Sequence, residues 1–240
     1  MNPRLGLSFV LVAGVGLGAW FFTRPDPHGN ALRVRALATR GLADHLAQKF
    51  SGQKVLVLSN PFRQAHGSSD IAAVEEAGLQ GLRQGFESRM PIAGVALPAL
   101  RPEAQVDPRP LLADTETTTP LSYLVTPDAF DQAYQQHGDS GVVVSLIGLP
   151  AELNQCRIWS TNGPPRFGLL WPDLRVLGNT AAVQQALKSG KLAVFVLRKP
   201  GAPADSVGLG KDWRSEFDRR FVLVTSENAE LLLKNYPGLF

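Results

Sequence analysis

The residues best equipped for chemistry crowd into one stretch, "KVLVLSNPFRQAHGSSD", Lys54 to Asp70. Four apolar residues, Val55 to Leu58, run into Ser59-Asn60-Pro61, and Arg63, His66, Ser68, Ser69 and Asp70 follow closely. Hydroxyl, amide, guanidinium and imidazole groups at the end of a buried strand could hold a small ligand. Arg63 and the backbone N–H groups of a following helix would suit an anion. A plainer use of the same residues is the favoured reading: Asn60-Pro61 turns the chain, Ser69 or Asp70 caps the helix, and His66 is a solvated loop residue. Ser59, Asn60, Arg63, Ser68 and Ser69 are the ligand-contact candidates.

Catalytic motifs are missing from the rest of the chain. A serine hydrolase needs a nucleophile on a sharp turn, a base and an oxyanion hole. No G-x-S-x-G occurs, and Ser145 in "VVVSLIG" lies inside an apolar strand, where a hydrogen-bonded core serine is expected. His66 and His137 pair with no serine by spacing. "SVGLGKDW", Ser206 to Trp213, is not a phosphate loop and reads as a surface loop. His28, His45, His66 and His137 are widely separated, with no His-x-x-x-His pair. The single cysteine, Cys156, excludes an internal disulfide and any cysteine-rich metal site, and near Trp159 it reads as a packed thiol. The acidic pairs Glu75-Glu76 and Asp114/Glu116 read as exposed positions. No catalytic residue, metal or cofactor is assigned. A formal net charge of +3 is too mild to imply nucleic acid without a concentrated basic patch.

The elements that would position the loop follow from punctuation and periodicity. Six short apolar runs stand at 54–59, 92–97, 141–148, 166–171, 192–197 and 220–225, five of them soon followed by proline. They are continuously apolar, as strands of a parallel sheet covered on both faces should be, and proline marks their ends. Helical patterns lie between them. Residues 31–50 place Leu32, Leu37, Leu42, Leu46 and Phe50 on one face, and residues 69–88 do the same with Ile71, Val74, Gly78, Leu82 and Phe86. Thr126 should cap a helix ending at Gly138, Asn179 or Thr180 one ending at Gly190, and Ser226 one ending before Pro237. Shorter helices are expected around 150–156 and 213–219. This alternation predicts an α/β fold: a doubly wound, mainly parallel, Rossmann-like sheet of about six strands. Pro98 to Pro120, with five prolines and little periodicity, is a long insertion: a flexible excursion, a flap or an arm that docks a protein partner.

Leu5 to Phe22, "LGLSFVLVAGVGLGAWFF", carries no charge and reads as a transmembrane helix near the lower length limit, flanked by Arg4 and by Trp20, Phe21, Phe22 and Arg24. Gly14, Gly16 and Gly18 follow no strand and so are not a nucleotide loop. "GAWFFTRPDP" is a poor cleavage region, which favours an uncleaved anchor over a removed signal peptide. Arg24, Arg33, Arg35 and Arg40 would leave the main domain cytoplasmic by a naive positive-inside count, whereas short N-terminal anchors of this form commonly direct export. The periplasmic orientation is the one adopted. Residues 1–24 are then the anchor, 25–53 a juxtamembrane linker and helix, and 54–240 one α/β domain containing the insertion at 98–120.

The strand ending in "SNPF", the helix with "EEAGLQGLRQGF", and the later "SGVVVSLIGLP" and "KLAVFVLRKPG" resemble one lobe of the type I periplasmic sugar-binding proteins, over roughly Lys54 to Gly201. The resemblance implies a periplasmic-binding-protein-like fold, with Asn60 and Phe62 as ligand contacts. Two lobes closing on a ligand need more chain than stands here, so an inter-lobe cleft is not expected. The combined expectation is a membrane-anchored, non-catalytic extracytoplasmic protein that binds a small ligand or serves in an envelope complex. The alternative is a hydrolase-like enzyme built from the strand-end loops.

Overall fold

The computed structural model describes residues 27–64, 69–112, 117 and 119–236. The expected anchor at 5–22, together with His66 and Ser68, lies outside them. Among the described residues no helix is long and apolar enough to cross a membrane.

All six apolar runs are strands. In chain order they are β1 (Lys54–Leu58), β2 (Ile92–Ala96), β3 (Ser140–Ser145), β4 (Arg166–Leu170), β5 (Leu192–Arg198) and β6 (Phe221–Val224). They form one sheet in the order β2-β1-β3-β4-β5-β6. β1 pairs in parallel with both β2 and β3, β3 with β4, and β4 with β5. Two edges depart from the expectation of uniformly covered parallel strands. β6 runs antiparallel to β5, and the helix before it leads straight into the strand. β2 alternates half-buried with exposed residues, since nothing pairs with its outer side.

Nine helices accompany the strands among the described residues. They are α1 (Pro27–Lys49), α2 (Ser69–Phe86), α3 (Pro102–Val106), α4 (Leu121–Leu124), α5 (Ala129–Gln135), α6 (Arg157–Ser160), α7 (Thr180–Lys188), α8 (Trp213–Arg220) and α9 (Ala229–Asn235). They divide between the two faces of the sheet. α1, α2 and α8 bury Val34, Leu42, Leu46, Leu82, Phe86 and Phe217 against one face. α5, α7 and α9 bury Phe130, Val183, Leu187 and Ala229 against the other. The sheet is therefore doubly wound. α1, assigned from sequence to the juxtamembrane stretch, is the central helix of its layer, with Val34, Ala38, Leu42, Ala43 and Leu46 all fully buried. It lies close against α2 because α2 carries glycine where the helices meet. A Cβ on Gly81 would stand 2.1 Å from the Ala36 carbonyl oxygen, and one on Gly85 would stand 2.4 Å from that of Arg40.

Capping explains the smaller shifts in helix boundaries. Asn179 caps α7 as expected, its side chain accepting the Ala182 N–H at 2.9 Å. Thr126 does not cap α5; its hydroxyl donates to Asp128, which holds the N-cap position. Asn228 rather than Ser226 precedes α9, and its Oδ1 accepts the Thr225 N–H while its Nδ2 donates to the Leu223 carbonyl. The one amide, donating and accepting, closes that turn.

The proline-rich insertion is not a structureless loop over its described residues. Leu100 forms an isolated bridge with Val125, and the Arg101 N–H donates to the Leu124 carbonyl at 2.8 Å. The Arg101 guanidinium donates to the Val125 carbonyl and pairs with Glu152, while Ala104 is buried. Backbone groups are thus satisfied partly by the body of the domain and partly within the segment, where the Asp107 N–H donates to the Glu103 carbonyl and the Leu112 N–H to that of Arg109.

Candidate functional site

In an open α/β sheet, ligands bind beyond the carboxyl ends of the strands, where strand order reverses. The order β2-β1-β3 places that reversal between β1 and β3, at the turn that begins with Ser59. The turn is held from below by a buried ionic network. Glu75, from the first turns of α2, is 3 % exposed. Its Oε2 accepts the Ser59 hydroxyl at 2.7 Å and the Asn60 N–H at 3.1 Å. Its Oε1 accepts Arg35 Nη2 at 2.5 Å, across from α1. The Arg35 guanidinium also lies 5.8 Å from the ring centroid of Trp171, the residue that follows β4 with φ +45°. Burial lowers Arg35 from its ordinary value and the Glu75 charge opposes that shift.

Above this floor the turn is a short 3-10 helix, Pro61–Gln64. Asn60 starts it: its Oδ1 accepts the Phe62 N–H at 2.9 Å. Phe62 and Arg63 are half-buried, and Ser69, at the start of α2, is exposed beside Asp70. Ser68 lies outside the described residues. Ser59 and Asn60 are therefore brought together with Glu75 and Arg35. Ser59 spends its hydroxyl inward on Glu75, and Phe62 and Arg63 follow in the same turn, both half-buried.

The insertion approaches the carboxyl ends of β3 and β4 from the other face. Thr119 is buried against Gly148, a left-handed glycine (φ +80°) in the loop after β3. The Thr117 hydroxyl donates to Asp173, just beyond β4, at 2.8 Å. The hydrogen bond from Arg175, helped by Thr117, holds the Asp173 carboxyl below the usual carboxylate range. Ala151 N–H closes the contact on the Ser122 carbonyl.

The chain is similar to solved solute-binding proteins. No family model and no curated protein matches it. Among solved structures it is similar to an arabinose-binding protein from Geobacillus stearothermophilus, with 12 % identity and a TM-score of 0.45 over 82 % of this chain and 62 % of that one. It is also similar to the Caulobacter myo-inositol binding protein, with 15 % identity and a TM-score of 0.42 over 82 % and 60 %. A solute-binding protein from Burkholderia graminis in complex with D-arabinose gives 11 % and 0.45 over 81 % and 60 %. The class is the one that the Ser-Asn-Pro-Phe turn resembles. The chain spans about three fifths of the length of each of these proteins.

One sequence reading is corrected at the site. Glu75 is not an exposed member of an acidic pair: only Glu76 faces solvent, and it pairs with Arg83. Glu75 sits four residues from both Ile71 and Leu79, inside the apolar stripe of α2, and that interruption was the available signal. Arg35 carries no such signal, because its partner lies 40 residues away. Other candidates stand as expected. Ser145 is fully buried and donates to the Gly148 carbonyl at 2.6 Å. Cys156 is fully buried at the N-cap position of α6, and burial pushes its thiol up to about 11.

Proposed function

We propose that this chain is a membrane-anchored, non-catalytic, extracytoplasmic protein that binds a small polar ligand at the carboxyl edge of β1 and β3. The observation that carries this reading is the turn at the switch point. Its floor is fixed by Arg35, Glu75 and Ser59, and the turn itself carries Phe62 and Arg63, both half-buried. A ring and a guanidinium on a rigid turn suit recognition: neither must be ordered at the moment of binding, so less of the interaction energy is lost. Asn60 and Ser59 act in this reading through the turn, and Ser69 would border the ligand from the start of α2. The described part of the insertion at 98–120, through Thr117 and Thr119, is the wall on the other side in this reading, and the insertion would engage an envelope partner.

Thermal unfolding of the full chain against a panel of sugars, polyols and amino acids tests the binding. A ligand at about 100 times its dissociation constant should raise the midpoint by about 5 to 10 °C. Phe62→Ala should remove most of that rise while leaving the ligand-free midpoint in place. A panel without a shift, or a shift untouched by Phe62→Ala, would overturn the site. The anchor is tested by fractionation. The full chain should stay with membranes through high salt and alkaline carbonate and leave only with detergent, whereas a chain lacking residues 5–22 should not sediment with membranes.

A further inference from the structure

A second site lies at the opposite, amino edge of the sheet, between the starts of β4 and β5. A hollow of about 550 Å³ opens there against α7, in the size range of small-molecule pockets. Its lining contains no carboxylate, but it includes Arg166 and Lys191. Lys191 is only 8 % exposed. Its ammonium donates to the carbonyls of Ile158 and Gly163 at 2.9 Å and of Pro165 at 3.3 Å, so the 158–165 loop wraps around a buried charge. Neither Lys191 nor Arg166 forms an ion pair with an acid among the described residues. The nearby carboxylate of Asp131 is committed to the N–H groups of Arg157 and Ile158. Burial, and then the charge of Arg166, lowers Lys191 from its ordinary value, as expected for two cations facing one space.

The carbonyl end of α7 offsets part of this charge, since Arg166 Nη1 donates to the Ser189 carbonyl at 3.2 Å. A helix end carries only about half an elementary charge, so two full cations leave a positive excess. Lys191 has spent its three donors and acts through space. Arg166 has five N–H groups in its guanidinium and keeps donors beyond the one given to Ser189. Trp159, half-buried and edge-on to Phe167 with centroids 5.2 Å apart, supplies a flat apolar wall beside it. Asn154 and Asn162 add neutral amides at the rim.

We propose that this hollow is an anion site for a small aromatic carboxylate or phosphate ester, its acid on Arg166 in the field of Lys191 and its ring against Trp159. The site stands apart from the carboxyl-edge turn and does not rest on it. The test titrates the full chain, held in non-ionic detergent, with benzoate, phenyl phosphate and the neutral benzamide, followed by calorimetry. At least one anion should saturate below about 10 mM, and benzamide should bind about tenfold more weakly or not at all. The preferred anion separates a carboxylate site from a phosphate site. Gln185→Glu places a carboxylate on the exposed rim from α7 and should weaken the anion about tenfold or more without lowering the unfolding midpoint. Phe62→Ala should leave this binding unchanged. No saturation by either anion, equal binding of benzamide, or indifference to Gln185→Glu would each overturn the proposal.

Discussion

Arg220→Met is expected to destabilise the protein by about 3 kcal/mol and to release the loop between β5 and α8. Arg220 is the largest fully buried side chain in the described structure. Its guanidinium donates to the carbonyls of Pro203, Ala204, Val207 and Gly208 at 3.1, 3.2, 2.9 and 3.4 Å, and its Nε meets Glu216 at 3.3 Å. The loop it organises, Gly201 to Asp212, contains no regular element and most of its side chains are exposed; Arg198, paired with Asp205, and Leu209, packed against the core, are its other ties. Methionine retains much of the apolar stem but provides no donors. The four carbonyls would turn to water, and Glu216 would lose its i,i+4 partner. Chemical denaturation should therefore show a lower midpoint at unchanged slope. Hydrogen exchange should accelerate at the amides of residues 204–210 more than in β4 or β5. If exchange in the loop is unchanged, Arg220 is not its organiser. The loop also reaches α1, where Asn30 donates to the Ser206 carbonyl at 3.0 Å, so its release should loosen the first turns of α1 as well.

Glu75→Gln is expected to cost a similar amount, about 3 kcal/mol, for a different reason. The substitution is nearly isosteric, so packing survives while a buried charge goes unanswered. Arg35 has 13 % of its side chain exposed and Glu75 has 4 %. In the glutamine variant Arg35 remains charged with no carboxylate beside it. One end of the amide must also present donors where Glu75 now accepts, either to Arg35 or to Ser59 and Asn60. The turn at the switch point would lose its floor, so ligand binding there should weaken along with stability. Arg35→Met combined with Glu75→Gln should recover much of the loss, since replacing both partners removes the unpaired charge. A single variant as stable as the parent, or a double variant worse than the single, would show that the pair does not hold the turn.

These two residues mark how far the sequence could be read. The six strands were legible because a buried strand must be apolar along its whole length, and proline stops it by withholding a ladder donor. The helices between them were legible from their apolar faces and, for α7, from the Asn179 cap. The glycines of "EEAGLQGLRQGF" were legible as a pattern but not as a purpose: only the packing shows that Gly81 and Gly85 let α1 approach α2. The sequence marked the turn at Ser59 to Arg63 as the binding candidate. It could not show that Ser59 would be consumed by Glu75, nor that Glu75, adjacent to an exposed twin, would be the buried one.

The N-terminal apolar segment, the strand positions and the α/β class were determined by the sequence itself, through composition and local periodicity. Those signals depend on whether each residue meets water or apolar surroundings, and they repeat at fixed spacing. The antiparallel turn of β6, the folding of the insertion onto the carboxyl edge, the Arg35–Glu75 floor, the Arg220 cage and the carboxylate-free hollow around Lys191 were decided by tertiary structure alone. Each joins groups from separate elements, 40 residues apart for Arg35 and Glu75 and 56 for Thr117 and Asp173, and pairing at such range leaves no period in the chain. Long-range electrostatic and hydrogen-bond partners are chosen by which elements the sheet order brings together. That order comes from the packing of the whole domain.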